Sequence, residues 1–180
     1  MNKLKTLKQL LYRPNKAFQQ ISRWPKDFFG IGIVIWLLAE LIGLYPHKNL
    51  NNHQLVFAGI AILVYAVFVY EIPKWFGGRI TPQRFFAMYG AAKVPYFIAA
   101  VVVALYAVGV GPLEQVTEGT GLILMILLFV ALIWNAVLTV FGIEIFYKLH
   151  IKDAILSYIS AVMLGAMLIG FLHGLMVLVG

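Results

Sequence analysis

The chain contains no cysteine in 180 residues, which together excludes disulfide frameworks, thiolate nucleophiles, cysteine zinc sites and iron–sulfur clusters. Charge is also scarce, at 12% of residues, about half the share of an ordinary soluble domain. Acids are scarcer than bases, seven against fourteen. With 62% apolar residues, a soluble globule would have too little polar surface to cover itself, so the composition points to a membrane protein. The chemistry left open is that of carboxylate, amine, imidazole and backbone. The net charge of +7 taken alone would suit nucleic acid, but its position along the chain argues for no nucleic-acid partner.

A hydrocarbon layer about 30 Å thick needs roughly 20 apolar residues in a helix, and five runs of that kind are present. The first covers residues 28–45, broken by Glu40 and closed by Pro46; the second covers 55–72, interrupted by Glu71 and stopped by Pro73. The third, 83–110, starts behind Thr81-Pro82, an N-cap followed by proline at the first helical position. It continues past Lys93 to a kink expected at Pro95. The fourth, 121–143, carries Asn135, and the fifth, 154–179, follows Asp153 as a possible N-cap. A membrane barrel would alternate apolar and polar residues, whereas these runs are continuously apolar. The expectation is an all-α integral membrane bundle of five transmembrane helices over residues 28–180, preceded by a basic amphipathic segment, residues 1–27. Short connections predict antiparallel packing of sequential neighbours.

Lys3, Lys5, Lys8, Arg13, Lys16, Arg23 and Lys26 place half of the bases before the first span, so the N-terminus is expected in the cytoplasm. Alternation then puts Lys74, Arg79, Arg84, Lys148 and Lys152 inside as well, for twelve of the fourteen bases. The outer loops, Pro46 to Gln54 and Gly111 to Gly119, hold Lys48 as their one base, and the C-terminus is expected outside. No apolar signal core precedes Phe28, so the mature chain is expected to begin at Met1. Leu4, Leu7, Leu10 and Leu11, and after Pro14 the set Ala17, Phe18, Ile21 and Trp24, recur at helical spacing. Both halves are expected to lie in the cytoplasmic interface, apolar face toward lipid and bases toward anionic headgroups.

Ionisable groups inside spans cost at least roughly 2.5 kcal/mol at mid-membrane. Glu71 and Glu144 fall at the cytoplasmic ends of their spans, where they can anchor to headgroups. Lys93 lies roughly 16 Å along a helix that begins at Pro82 and is expected to pair with Glu71 or Glu144, beside the basic Gly77 to Arg84 loop. Glu40 has no base predicted at its level except Lys48, so it is expected to be protonated or turned to a polar crevice. Asn135 suits interhelical hydrogen bonding. Glu40, Glu71, Gly77, Gly78, Arg79, Arg84, Lys93, Pro95, Asn135 and Glu144 are thus the candidates for a polar cluster or a lipid contact. In the fifth span Ser157, Ala161 and Gly165 form one small-residue stripe and Ala166, Gly170 and Gly174 another, suited to close helix contact within the protein or in a homo-oligomer.

No GxSxG, Walker, HExxH or GxGxxG motif occurs. His47, His53, His150 and His173 are scattered without ligand spacing. Neither an enzyme, a metal site nor a cofactor is expected.

Three segments carry a resemblance: Leu11-Tyr12-Arg13-Pro14-Asn15-Lys16-Ala17-Phe18, Gly77-Gly78-Arg79-Ile80-Thr81, and Tyr89-Gly90-Ala91-Ala92-Lys93-Val94-Pro95. With Trp134, Leu138, Gly142 and Ile143, then Ile151, Asp153 and Ala154, the chain resembles the Yip family (Ypt/Rab-interacting proteins), in particular its short prokaryotic type. The resemblance implies five spans and a cytoplasmic N-terminus. Eukaryotic members are associated with Rab GTPases through a long N-terminal region, and this chain has about 27 residues there. For prokaryotic relatives the resemblance implies accessory roles in a bacterial plasma membrane, including work beside ABC exporters. The functions expected are a membrane-organising or partner-binding protein or, alternatively, a small transporter or lipid translocator lined by Glu40, Glu71, Lys93, Asn135 and Glu144.

Overall fold

The computed structural model describes residues 3–44, 52–110 and 118–179. Among these the chain is helical without strands: α1 (Lys3–Gln9), α2 (Pro14–Arg23), α3 (Pro25–Leu44), α4 (Asn52–Trp75), α5 (Pro82–Ala92), α6 (Val94–Val110), α7 (Glu118–Tyr147) and α8 (Ile151–Val179). Most of both outer loops, with His47, Lys48 and Glu114, lies outside the described residues, as do the His53 side chain and Gly180.

Among the described residues three stretches are long and apolar enough to cross a membrane, Gln54–Trp75, Thr120–Tyr147 and Ile151–Gly174. A fourth arises if α5 and α6, bent by 49° at Lys93, act together. The first apolar run, α3, is not among them; its 20 residues include Lys26, Asp27 and Glu40. The α5–α6 break falls two residues before Pro95, whose ring and missing N–H disrupt the helix turn behind it. Thr81 does occupy the N-cap of α5, with extended backbone and without a side-chain capping bond. Helix α8 starts at Ile151, so Asp153 sits in its first turn rather than capping it.

Sequential spans are not the main neighbours. Helix α3 packs chiefly on α5 and α6, α4 on α8, and α7 joins the two groups by contacting α5, α6 and α8. The expected contact between sequential neighbours thus holds for α6–α7 and α7–α8, while α3 and α4 touch little and flank an apolar cavity of about 140 Å³ lined by Trp36, Tyr70, Phe85 and Phe86 among others. What selects α5 for α3 is a pair of glycines. A Cβ on Gly90 would overlap the backbone of Gly32, and one on Gly32 would overlap the Phe86 carbonyl. Trp36 then packs on Phe86 and Tyr89, with ring centroids 5.6 and 6.1 Å apart.

The second half of the N-terminal segment departs from its expected place against lipid. In α2 the apolar face of Ala17, Phe18 and Ile21 is fully buried, and the helix packs on α7 and α5. Phe18 meets Phe146 edge to face at 6.2 Å. Geometry supplies the reason. The 30 residues of α7 extend about 45 Å at 1.5 Å per residue, well beyond a 30 Å hydrocarbon layer, and α2 covers its last apolar turns. Trp24, expected on the same face, is 58% exposed.

Helix α7 ends with Lys148 at φ 58° and a bond from Leu149 N–H to the Glu144 carbonyl at 3.2 Å, a left-handed cap that usually takes glycine. Replacing Lys148 by glycine relieves the left-handed penalty of ~1–2 kcal/mol less the entropy glycine adds to the unfolded chain. The expected outcome is a gain of up to about 1 kcal/mol, read as a higher melting temperature in detergent.

Candidate functional site

One carboxylate, one ammonium and several tyrosines of the apolar helices converge between α3, α4, α8 and the α5–α6 break. Lys93 is the residue at the break; its side chain is 8% exposed, and Nζ donates to Glu40 Oε1 at 2.6 Å. Its expected partner was Glu71 or Glu144, and the structure replaces both with Glu40. The close α3–α5 crossing at Gly32 and Gly90 sets the two helices so that Glu40, two turns beyond Gly32, faces the end of α5. Three tyrosine rings surround the ammonium: Tyr89, Tyr96 and Tyr65, with centroids 5.4, 5.5 and 6.0 Å from Nζ. Ring faces stabilise a cation most when it is removed from water. The Tyr65 hydroxyl also lies 3.0 Å from that of Tyr158, joining α4 to α8. One ion pair and four tyrosines thereby draw on α3, α4, α5, α6 and α8.

The other candidates lie elsewhere. Glu71 pairs with Lys74 one turn on, at 2.8 Å and with both side chains part-exposed, and Lys74 sits 3.5 Å from the Tyr70 ring centroid. Glu144 is half-buried near the end of α7, and Arg79 is exposed on the loop after α4. Arg84 donates to the Ser22 carbonyl at 3.3 Å and lies 6.0 Å from the Phe146 ring centroid, tying α5 to the N-terminal segment. Pro95 is buried in the first turn of α6. Asn135 does not form the expected interhelical bond through its side-chain oxygen: Oδ1 is buried and unpartnered. Its backbone carbonyl instead accepts from Thr139 at 2.8 Å.

Gly77 and Gly78 end a helix. Helix α4 runs through Pro73 to Trp75, where the sequence predicted a stop. Gly77 N–H then donates to Lys74 and Gly78 N–H to Pro73, at 3.0 and 3.1 Å, with Gly77 at φ +90°. These are the two bonds of a Schellman cap. A Cβ on Gly78 would stand 2.8 Å from the Pro73 carbonyl. The proline is tolerated because it leaves the Val69 carbonyl without its N–H partner, and the buried Tyr147 hydroxyl points there from α7, 3.4 Å from that oxygen and 2.9 Å from the Tyr70 carbonyl. Tyr147→Phe should therefore cost about 1 kcal/mol, measured by denaturation in detergent.

Sequence reasoning missed the tyrosines. The usable signal was that a Tyr hydroxyl in an apolar run needs a hydrogen-bond partner, which makes Tyr65 and Tyr158 polar residues of their spans. Of the small-residue stripes, Ser157, Ala161 and Gly165 face inward, with Gly165 against Tyr65 and Phe68 of α4, while Ala166, Gly170 and Gly174 face outward. His173 packs on the Phe57 ring at 5.5 Å. Among the described residues no three His, Asp or Glu side chains gather as a metal site would require.

No curated protein and no solved structure matches the chain. A family model described as the Yip1 domain matches residues 8–172, most of the chain, and with its long apolar helices the protein is a membrane protein that belongs to that family.

Proposed function

We propose that the protein is a non-enzymatic, membrane-organising or partner-binding accessory protein with five spans, of which α3 and the bent α5–α6 pair are two. Its N-terminus lies in the cytoplasm and its C-terminus outside, and a bacterial plasma membrane is its home. A partner such as an ABC exporter is consistent with that placement. The observation that carries the proposal is the closed state of the polar cluster. Glu40 and Lys93 satisfy one another among tyrosine rings, and the cavity between α3, α4 and α5 is lined by apolar and aromatic side chains and includes neither charged residue. A transport path needs polar groups facing water at successive depths. Meanwhile Lys3, Lys5, Lys8, Arg13, Lys16, Arg23 and Lys26 are exposed, giving a basic surface suited to anionic headgroups or an acidic partner.

The alternative, a small transporter or lipid translocator, draws on the same ion pair, because a charge pair among apolar spans is a common element of translocation pathways. Two measurements on the purified protein separate them. Crosslinking with mass spectrometry after detergent co-purification should recover a defined membrane partner through the basic N-terminal surface. Liposomes containing the protein should show no more solute or lipid flux than empty ones. Reproducible flux, lost in a folded variant without the Glu40–Lys93 pair, would overturn the accessory role.

A further inference from the structure

Two recesses meet at Ile35 beneath α1. One, about 370 Å³, lies between Leu4, Leu7 and Leu11 of the N-terminal segment and Val94, Phe97 and Ile98 at the start of α6, with Lys8 at its side. The other, about 540 Å³, begins at Lys3, Lys26 and Asp27 and follows α3 past Ile31 to the same Ile35. We propose that the joined groove binds one anionic glycerophospholipid, its phosphate between Lys3 and Lys26 and an acyl chain under the leucines of α1.

The two ends of the groove call for different chemistry, which a single phospholipid supplies. Leu4 and Leu11 are 77% and 43% exposed, so the described residues leave them uncovered, and an acyl chain fills such a recess without losing hydrogen bonds. A peptide would bury backbone N–H and C=O groups against Leu, Ile, Val and Phe, where they find no partners. At the mouth, the two exposed ammonium groups of Lys3 and Lys26 stand against the one carboxylate of Asp27, and Lys8 adds a third positive charge beside the apolar end. That excess favours a net-negative headgroup over a zwitterionic one. The proposal rests on the cytoplasmic placement of α1 at the membrane surface and adds to it a defined ligand, where the sequence suggested only general attraction to headgroups.

Native mass spectrometry of the full-length protein, released from detergent with equal amounts of phosphatidylglycerol and phosphatidylcholine of identical acyl chains, tests it. One phosphatidylglycerol should be retained in preference. Lys3→Gln with Lys26→Gln should lower that retention by roughly 30-fold, about fivefold per charge, and Lys148→Gln with Lys152→Gln should leave it unchanged. Leu4→Asp, at an exposed position that folding does not depend on, should also lower it by placing a carboxylate in the apolar end. Equal retention of the two lipids, equal losses for the two lysine pairs, or unchanged retention in both the lysine and Leu4 variants would refute the site. Because lipid occupancy is read directly, neither finding a protein partner nor observing flux alters this outcome.

Discussion

Replacing Glu40 by glutamine while Lys93 remains is expected to lower the stability of the detergent-solubilised protein by about 3–5 kcal/mol, the usual cost of leaving one member of a buried ion pair without its counter-charge. The side chains are 18% and 8% exposed, and the tyrosine rings around the ammonium offset only part of the loss. Lys93→Met should cost a similar amount by stranding Glu40. The double variant, Glu40→Gln with Lys93→Met, should recover most of the stability, because an apolar replacement of both partners removes the desolvation penalty as well as the attraction. Thermal denaturation of the four proteins closes the cycle. Additive losses would show that the two side chains are not coupled. Glu71→Gln is the contrast: its pair with Lys74 is part-exposed and should be worth no more than about 1 kcal/mol.

Gly90→Val should have an effect of comparable size through packing alone. A side chain at that position overlaps the Gly32 backbone, and backbone cannot rotate aside as a flexible side chain can. Either α3 and α5 separate, losing the tilted ring contacts of Trp36 with Phe86 and Tyr89, or the helices deform. Overpacking costs typically 1–3 kcal/mol and more where the obstacle is rigid, so a loss of at least about 3 kcal/mol and a sharp fall in monodisperse yield on size exclusion are expected. Gly170→Val provides the control. Nothing lies within 4 Å of its Cβ position, and the change should stay within about 0.5 kcal/mol. If Gly90→Val were as well folded as Gly170→Val, the close crossing of α3 and α5 would be wrong.

The two variants probe one arrangement from different sides, since the Gly32–Gly90 crossing is what brings Glu40 to Lys93. Sequence spacing gave no hint of that link. Lys93 and Glu40 lie 53 positions apart, and the carboxylates at the cytoplasmic ends of their spans, Glu71 and Glu144, were the expected partners on depth. The assumption that failed was that the first two apolar runs, α3 and α4, pack together. With α4 packed on α8 and α3 on α5, Glu71 is left to Lys74 on its own helix. The amphipathic pattern of α2 was similarly legible as a pattern, with Lys16, Gln19, Gln20 and Arg23 exposed and Ala17, Phe18 and Ile21 buried. Its cover was not, because an apolar stripe specifies burial but does not distinguish lipid from the end of α7.

By itself, then, the sequence determined what depends on local chemistry: helical apolar runs, the break near Pro95, the placement of bases before the first apolar run, and the short motifs of the Yip resemblance. These follow from residues within a few turns of one another. The tertiary structure decided which spans touch, that Pro73 could remain inside a helix because a tyrosine from α7 serves its freed carbonyl, and that Lys93 answers Glu40. Each of those depends on shape complementarity between distant segments. In an apolar surrounding, hydrophobicity no longer ranks one helix pairing above another; the choice falls to close contacts such as Gly32 on Gly90 and to the few polar groups that must find partners.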